Sequence, residues 1–170
     1  MKDLYFFHGL ESSPKGTKAQ LIKKHFPECH IPELSPDIHE RATVLERLIT
    51  ESSYLVGSSL GGLSALLFSM QHPELVKAMI LLAPAVGAFD EHFFTQEDFE
   101  LLKTTHIPEK IPTTVIAGQH DDVIPLKAIK EMMKRSPDKD NIDFMIWDDD
   151  HSLNGYPELL LEYIGKMLKK

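Results

Sequence analysis

The run Tyr54-Leu55-Val56 meets a serine held between glycines, Gly57-Ser58-Ser59-Leu60-Gly61, and passes at once into a second apolar stretch with helical spacing. A strand that re-enters as a helix without an intervening loop must turn a very tight corner. Glycines at 57 and 61 let backbone approach backbone there, and the central residue is driven into a strained conformation with its hydroxyl projecting outward. The feature therefore constrains both fold and chemistry. Strand and helix must be adjacent layers, and Ser59 must stand at the carboxyl end of the strand. As a bare string, G-x-S-x-G also describes an ordinary glycine-rich turn; the flanks make Ser59 a nucleophile candidate.

A serine hydroxyl is a poor nucleophile until a base removes its proton, and that base needs a carboxylate to fix its tautomer. Thr113-Thr114-Val115-Ile116-Ala117 reads as a strand running into Gly118-Gln119-His120-Asp121-Asp122, a turn with two aspartates. Phe144-Met145-Ile146-Trp147 reads as another strand, followed by Asp148-Asp149-Asp150-His151-Ser152. Ser59, Asp121 or Asp122, and His151 thus all fall just past strand ends, where a parallel α/β sheet places its site.

Acyl transfer also requires donors for an oxyanion. The amide of Leu60, next to the nucleophile, is one candidate. The loop after the first strand, Leu4-Tyr5-Phe6-Phe7-His8-Gly9-Leu10, supplies the other through the amide of Leu10. Read alone, His8-Gly9 is a plain tight turn; beside the other three elements it becomes an oxyanion loop.

These stretches resemble the α/β-hydrolase superfamily and, more narrowly, small bacterial YqiA-like esterases. The similarity lies in LYFFHGLESSPKGTKA, LVGSSLGG, APAVGAF and DHSLNGYPE, with the segment from Glu91 to Ile111 outside it. The resemblance implies hydrolysis of small to medium acyl esters with Ser59, Asp121 and His151 as the triad. It leaves thioester hydrolysis, acyl transfer or a silent binding module as alternatives on the same fold. In related hydrolases the acid follows a post-strand glycine as G-x-x-D, which selects Asp121. Asp122 would then start the turn into Val123-Ile124-Pro125 and make a hydrogen bond that opens the next helix. No cofactor and no metal is implied.

Along the chain, strands are predicted near Leu4–Phe7, Cys29–Leu34, Tyr54–Gly57, Ala78–Leu82, Thr114–Ala117 and Ile142–Trp147. The second is weakened by Pro32 and belongs at a sheet edge. Helices are predicted over Thr17–Phe26, over a stretch repeating Ile38, Ala42, Leu45 and Ile49, and after the Ser59 corner with Leu60, Leu63, Leu67 and Met70 on one side. Two more follow Pro125 and Pro157. The expected fold is α/β: one domain over residues 1–170, a doubly wound, mostly parallel sheet of about six strands with helices on both faces, in a shortened α/β-hydrolase form.

An insertion at about 83–111 sits where relatives place a lid, with Thr95 capping a helix start. Its Phe89, Phe93, Phe94 and Phe99 either cover the core or line an acyl pocket. Among 9 histidines, only His151 combines chain order with a post-strand loop; His120 is expected to shape the acid's turn. No H-x-x-x-H or C-x-x-C occurs, and Asp148-Asp149-Asp150 reads as a solvated turn.

A formal charge of −8, from 18 basic and 26 acidic residues, argues against nucleic acid or an anionic membrane as partner. The single Cys29 excludes an intrachain disulfide and fits a reducing compartment. The longest apolar run, Ala78 to Phe89, is broken by Pro84 and Gly87 and is too short to span a bilayer. Because the sequence opens directly into a strand-like run, no secretory signal is expected. A cytoplasmic protein with a small-molecule ester substrate is expected, as a monomer or small homo-oligomer.

Overall fold

The computed structural model describes residues 3–87 and 94–169. Five apolar runs pair side by side in chain order, every neighbour parallel: β1 (Leu4–Phe7), β2 (Ser53–Ser58), β3 (Val76–Leu82), β4 (Thr113–Gly118) and β5 (Ile142–Trp147). Parallel neighbours cannot be joined by hairpins, so helices carry the crossovers. These are α1 (Thr17–His25), α2 (Ile38–Leu48), α3 (Leu60–Gln71), α4 (Gln96–Thr104), α5 (Leu126–Arg135) and a closing α6 (Pro157–Met167).

The predicted strand at Cys29–Leu34 is reduced to one bridge. His30 pairs with Tyr5 on the outer side of β1, its amide donating to the Leu4 carbonyl (2.8 Å) and its carbonyl accepting from the Phe6 amide (2.9 Å). Pro32 has no amide to continue the ladder, and Pro36 follows closely. The sheet therefore has five strands where about six were expected.

That bridge still sets the topology. The chain steps outward from β1 to His30, then returns past β1 to β2 and continues in one direction. The reversal leaves a crevice at the carboxyl ends of β1 and β2, where open α/β sheets bind ligands. It also divides the helices. Phe7, Leu55, Leu81 and Val115 point into one apolar cluster with Leu45 of α2, Leu63 and Leu66 of α3, Leu102 of α4 and Ile129 of α5. Phe6, Val56, Ile80 and Ile116 alternate to the other face and pack with Ala19 and Ile22 of α1 and Leu160 and Ile164 of α6. Each fully buried Leu or Ile contributes roughly 1.5–3 kcal/mol.

Two helix faces differ from expectation. On α2 the buried positions are Ile38, Arg41 and Leu45, with Ala42 only half-buried. An arginine occupies the inward position because it has backbone carbonyls to reach, as described below. On α3 burial continues almost all round, from Leu60 to Leu66 and on to Phe68 and Ser69, while Leu67 and Met70 are half-buried. This helix lies between the sheet and α2, so no single side faces water.

Candidate active site

The corner after β2 folds as its glycines require. A Cβ on Gly57 would run into the Gly61 carbonyl and stand 2.7 Å from Gly62 Cα; one on Gly61 would collide with the Phe7 carbonyl group and come within 2.8 Å of the His8 carbonyl oxygen. Between them Ser59 adopts φ 54° and ψ −117°. Such a conformation costs on the order of 1–3 kcal/mol and persists only where surroundings impose it. Here the Ser59 amide donates to the Leu82 carbonyl at the end of β3 (2.8 Å), and the Ser59 carbonyl accepts from Leu63 and Ala85 (both 3.1 Å). Among the described residues, Ala83 (φ 41°) and Leu153 (φ 48°) are also non-glycine residues with positive φ. Ala83 directly follows β3, and Leu153 lies in the loop after β5.

Ser59, His151 and Asp121 come together across the carboxyl ends of β2, β4 and β5. The His151 Nε2 lies 3.0 Å from Ser59 Oγ and its Nδ1 lies 2.8 Å from Asp121 Oδ2. A carboxylate only accepts, so Nδ1 carries the proton and Nε2 is left bare toward the serine. The second Asp121 oxygen, Oδ1, accepts from the amides of Val123 (2.9 Å) and Ile124 (2.8 Å). The Asp121 side chain is only 3% exposed, against 22% for His151. Asp122 is exposed, and the backbone bonds anticipated for it belong to its neighbour. The helix that follows has no side-chain cap.

The acid and histidine loops are laced together. His120 Nε2 lies 2.7 Å from Asp148 Oδ1, the His120 amide donates to the Asp149 carbonyl (3.0 Å), and the Gln119 amide donates to Trp147 (2.8 Å). The aspartate run builds its own turn: Asp149 accepts from the Gly155 amide (2.8 Å), and Asp150 accepts from the amide (2.8 Å) and hydroxyl (2.5 Å) of Ser152.

Leu60 opens α3, so its amide belongs to the first helical turn, where no carbonyl of the helix can pair with it. Gly9 lies against the nucleophile: a Cβ built there would stand 3.4 Å from Ser59 Cβ. Leu10 follows in the same turn and packs, partly buried, on the cluster holding Leu60 and Val86.

Beneath this loop lies a buried pair that the sequence did not reveal. His8 is 1% exposed, as is Arg41. His8 Nδ1 lies 2.9 Å from the Gly9 carbonyl, and Nε2 accepts from the Leu34 amide at 3.2 Å. These partners fix a neutral tautomer protonated at Nδ1. Burial lowers the His8 pKa, assisted by Arg41 and opposed by the Gly9 hydrogen bond. The Arg41 guanidinium donates to the carbonyls of Ser35 (2.5 Å), His8 (2.9 Å) and Gly9 (3.5 Å), and burial lowers its pKa to about 10. The one available signal was a charged residue at a position sharing a helical face with Ile38 and Leu45.

Of the proposed pocket residues, Phe89 and Phe93 lie outside the described residues. Phe94 and Phe99 are half-buried, with ring centroids 6.3 Å apart, and Phe94 packs on the cluster containing Leu60 and Val86. Thr95 caps α4 in a complete capping box with Asp98, which also meets His39 Nε2 of α2 at 2.8 Å. Burial alone would raise the Asp98 pKa, but its bonds from Thr95 and His39 outweigh that and lower it. Cys29 is buried, and desolvation pushes its thiol up to about 12. Among the described residues, no group of three or more His, Cys, Asp or Glu is arranged to hold a metal, and no helix is long and apolar enough to cross a membrane.

Comparison with known proteins agrees with this architecture. The model of the uncharacterised protein family UPF0227 matches residues 3–164, and the chain belongs to that YqiA-like family. Mouse alpha/beta hydrolase domain-containing protein 10 superposes with a TM-score of 0.79 at 20% identity, over 98% of this chain and 89% of that one. The monoacylglycerol lipase of Paleococcus ferrophilus gives 0.75 at 14% identity, over 97% and 93%. Est1E of Butyrivibrio proteoclasticus gives 0.70 at 16%, over 99% and 90%. The fold is the α/β-hydrolase fold.

Proposed function

We propose that this member of the UPF0227 family is a serine hydrolase that cleaves carboxylic esters of small to medium acyl chains. The observation that carries the reading is the continuous array from Ser59 Oγ through His151 to Asp121, at 3.0 and 2.8 Å, on a strained corner that presents the hydroxyl. A monoacylglycerol lipase is among the proteins that share this fold, so ester chemistry is compatible with it.

In this mechanism Ser59 Oγ attacks the ester carbonyl carbon while its proton passes to His151 Nε2. Asp121 holds the Nδ1 proton and stabilises the imidazolium that forms. The amides of Leu60 and Leu10 receive the developing oxyanion; a single such donor is worth about 10²–10³-fold in turnover. Collapse expels the alcohol, which takes its proton from His151. His151 then deprotonates a water that attacks the acyl-enzyme, and the acid leaves with Ser59 restored. The whole chain acts as one domain in the cytoplasm on a small-molecule ester, and Phe94 and Phe99 contribute an apolar wall for the acyl chain.

A turnover panel of acyl esters and thioesters of graded chain length, with Ser59→Ala as control, tests the proposal. Hydrolysis of short and medium esters that disappears in the variant is expected. Activity on thioesters alone, or activity that survives in Ser59→Ala, refutes it.

A further inference from the structure

The loop after β5 carries His151 at its tip, and its two halves are held differently. The first half, Asp148 to Asp150, is bonded to the loop after β4 through the ring and amide of His120. The second half turns away from that loop, and at Leu153 its backbone enters φ 48°. A branched residue in this region is strained, so the surroundings must hold it there.

Apolar burial on the far face of the sheet and a set of hydrogen bonds from α1 contribute to this, beside the Leu153 amide's own bond to the Asp150 carbonyl (3.3 Å). The Leu153 side chain, 2% exposed, is buried in the cluster with Ala19 and Ile22. One residue earlier, Lys18 Nζ donates to the Ser152 carbonyl (2.6 Å), the Leu153 carbonyl (3.3 Å) and Asn154 Oδ1 (2.9 Å). An ammonium has three protons, and all three find an acceptor in this one loop. The acceptors bracket the strained residue, beginning at the residue next to His151. Lys18 lies in Gly16-Thr17-Lys18-Ala19 and its acceptors in Ser152-Leu153-Asn154, two stretches of the family resemblance that the triad leaves unused.

We propose that Lys18 is a positioning residue: it fixes the back half of the His151 loop so that the imidazole stays aligned between Asp121 and Ser59. The proposal rests on the serine-hydrolase reading. It gives α1, on the face of the sheet opposite α3, a part in the reaction without contact with substrate. Burial pulls the Lys18 pKa down to about 8, with Asp149 and Asp150 opposing the shift, so the ammonium persists at neutral pH.

The test uses Lys18→Cys and its restoration. Treatment with 2-bromoethylamine joins the new thiolate to an aminoethyl group, expelling bromide, and rebuilds a lysine-length ammonium. Cys29, buried and with its thiol at about 12, stays unreacted, and treated wild-type protein is the control. Two readouts are followed on folded protein: kcat and KM for p-nitrophenyl butyrate, and amide hydrogen exchange over 149–156. Lys18→Cys is expected to lose about 10- to 100-fold in kcat, as a misplacement near 1 Å does, with KM nearly unchanged. Exchange over Ser152–Gly155 is expected to rise, and aminoethylation to restore both. Unchanged kcat with a lowered melting temperature makes Lys18 a structural tie and overturns the proposal, as does lost activity that aminoethylation leaves unrestored. Should Lys18→Cys fail to fold, Lys18→Gln, which keeps an amide donor, carries the same measurements. A wild-type protein without turnover sinks the hydrolase reading instead, and the exchange readout then decides the positioning by itself.

Discussion

The loops after β4 and β5 and the segment from Phe94 to Ile107 are built in opposite ways. In the loops, the atoms that matter are polar and nearly all spoken for: Asp121 serves two amides and a histidine, Asp149 and Asp150 close their own turn, and three acceptors take up the protons of Lys18. In the Phe94–Ile107 segment, polar bonds anchor the ends: Asp98 meets His39, Arg135 holds the Thr105 carbonyl (2.9 Å), and the Ile107 amide donates to Ser136 Oγ (2.8 Å). The inward contacts of this segment are apolar, with Leu102 buried and Phe94 and Phe99 half-buried. Directional bonds fix position to a fraction of an ångström and fail sharply when one is removed. Apolar contact is graded with area and tolerates change. Under the proposed function, the first region would hold the reacting groups and the second would accommodate a variable acyl chain.

The sharpest way to break this contrast is Asp121→Asn. With the carboxylate gone, His151 is free to adopt the wrong tautomer, and turnover should fall by about 10⁴-fold while the protein stays folded. Steady-state rates beside a circular-dichroism melt check it; a loss of tenfold or less would mean that the hydrogen-bonded side is no more demanding than the apolar one.

Arg41→Met comes next. It leaves the Ser35 and His8 carbonyls without their buried donor, a cost of about 1–3 kcal/mol each where no water replaces it. Urea unfolding measures this, and a change within 0.5 kcal/mol contradicts it. Acid acts on the same pocket. Burial holds the His8 pKa below 6.5, so over the window beneath that value the folded chain binds fewer protons than the unfolded one. Stability should therefore fall as pH drops from about 6.5 through the lowered value, and an NMR titration of His8 with a midpoint at or above 6.5 refutes the assignment.

On the apolar side, Phe94→Ala and Phe99→Ala should shift the preferred acyl length. A buried methylene is worth about 0.8 kcal/mol, or about fourfold in kcat/KM per carbon. Chain-length profiles that stay unchanged while stability falls would make these residues core cover. The smallest effect is expected for Asp122→Asn, which removes an exposed carboxylate and should alter stability by less than about 0.5 kcal/mol and turnover by less than twofold. If it proves more damaging to turnover than Asp121→Asn, the two acids exchange roles.

The same contrast governs what the sequence could reveal. That Ser59, His151 and an aspartate would meet on one rim was legible because chain order and strand ends place them there without knowledge of contacts. The choice of Asp121 came through family resemblance; its physical basis, a carboxylate that accepts from two amides two and three residues ahead, is visible only in the folded turn. Strands with β-branched and aromatic residues were readable, but Pro32 cut the edge strand at Cys29–Leu34 down to a single bridge. On α2 the expected Ile38, Leu45 and Ile49 are buried, but Arg41 rather than Ala42 points inward, for hydrogen bonds that no hydropathy pattern records. Lys18 was invisible for a different reason: its acceptors lie 134 to 136 residues away, and only the packing of α1 against α6 brings them near.

The most direct test of the central claim is covalent labelling of the folded protein with a fluorophosphonate, read by peptide mass spectrometry. An activated serine attacks the phosphorus and expels fluoride, whereas an ordinary hydroxyl does not react at a comparable rate. The account predicts a single adduct on Ser59, with Ser58 unmodified and no adduct in Ser59→Ala. An adduct on another residue, or folded protein that takes up no probe, would contradict it.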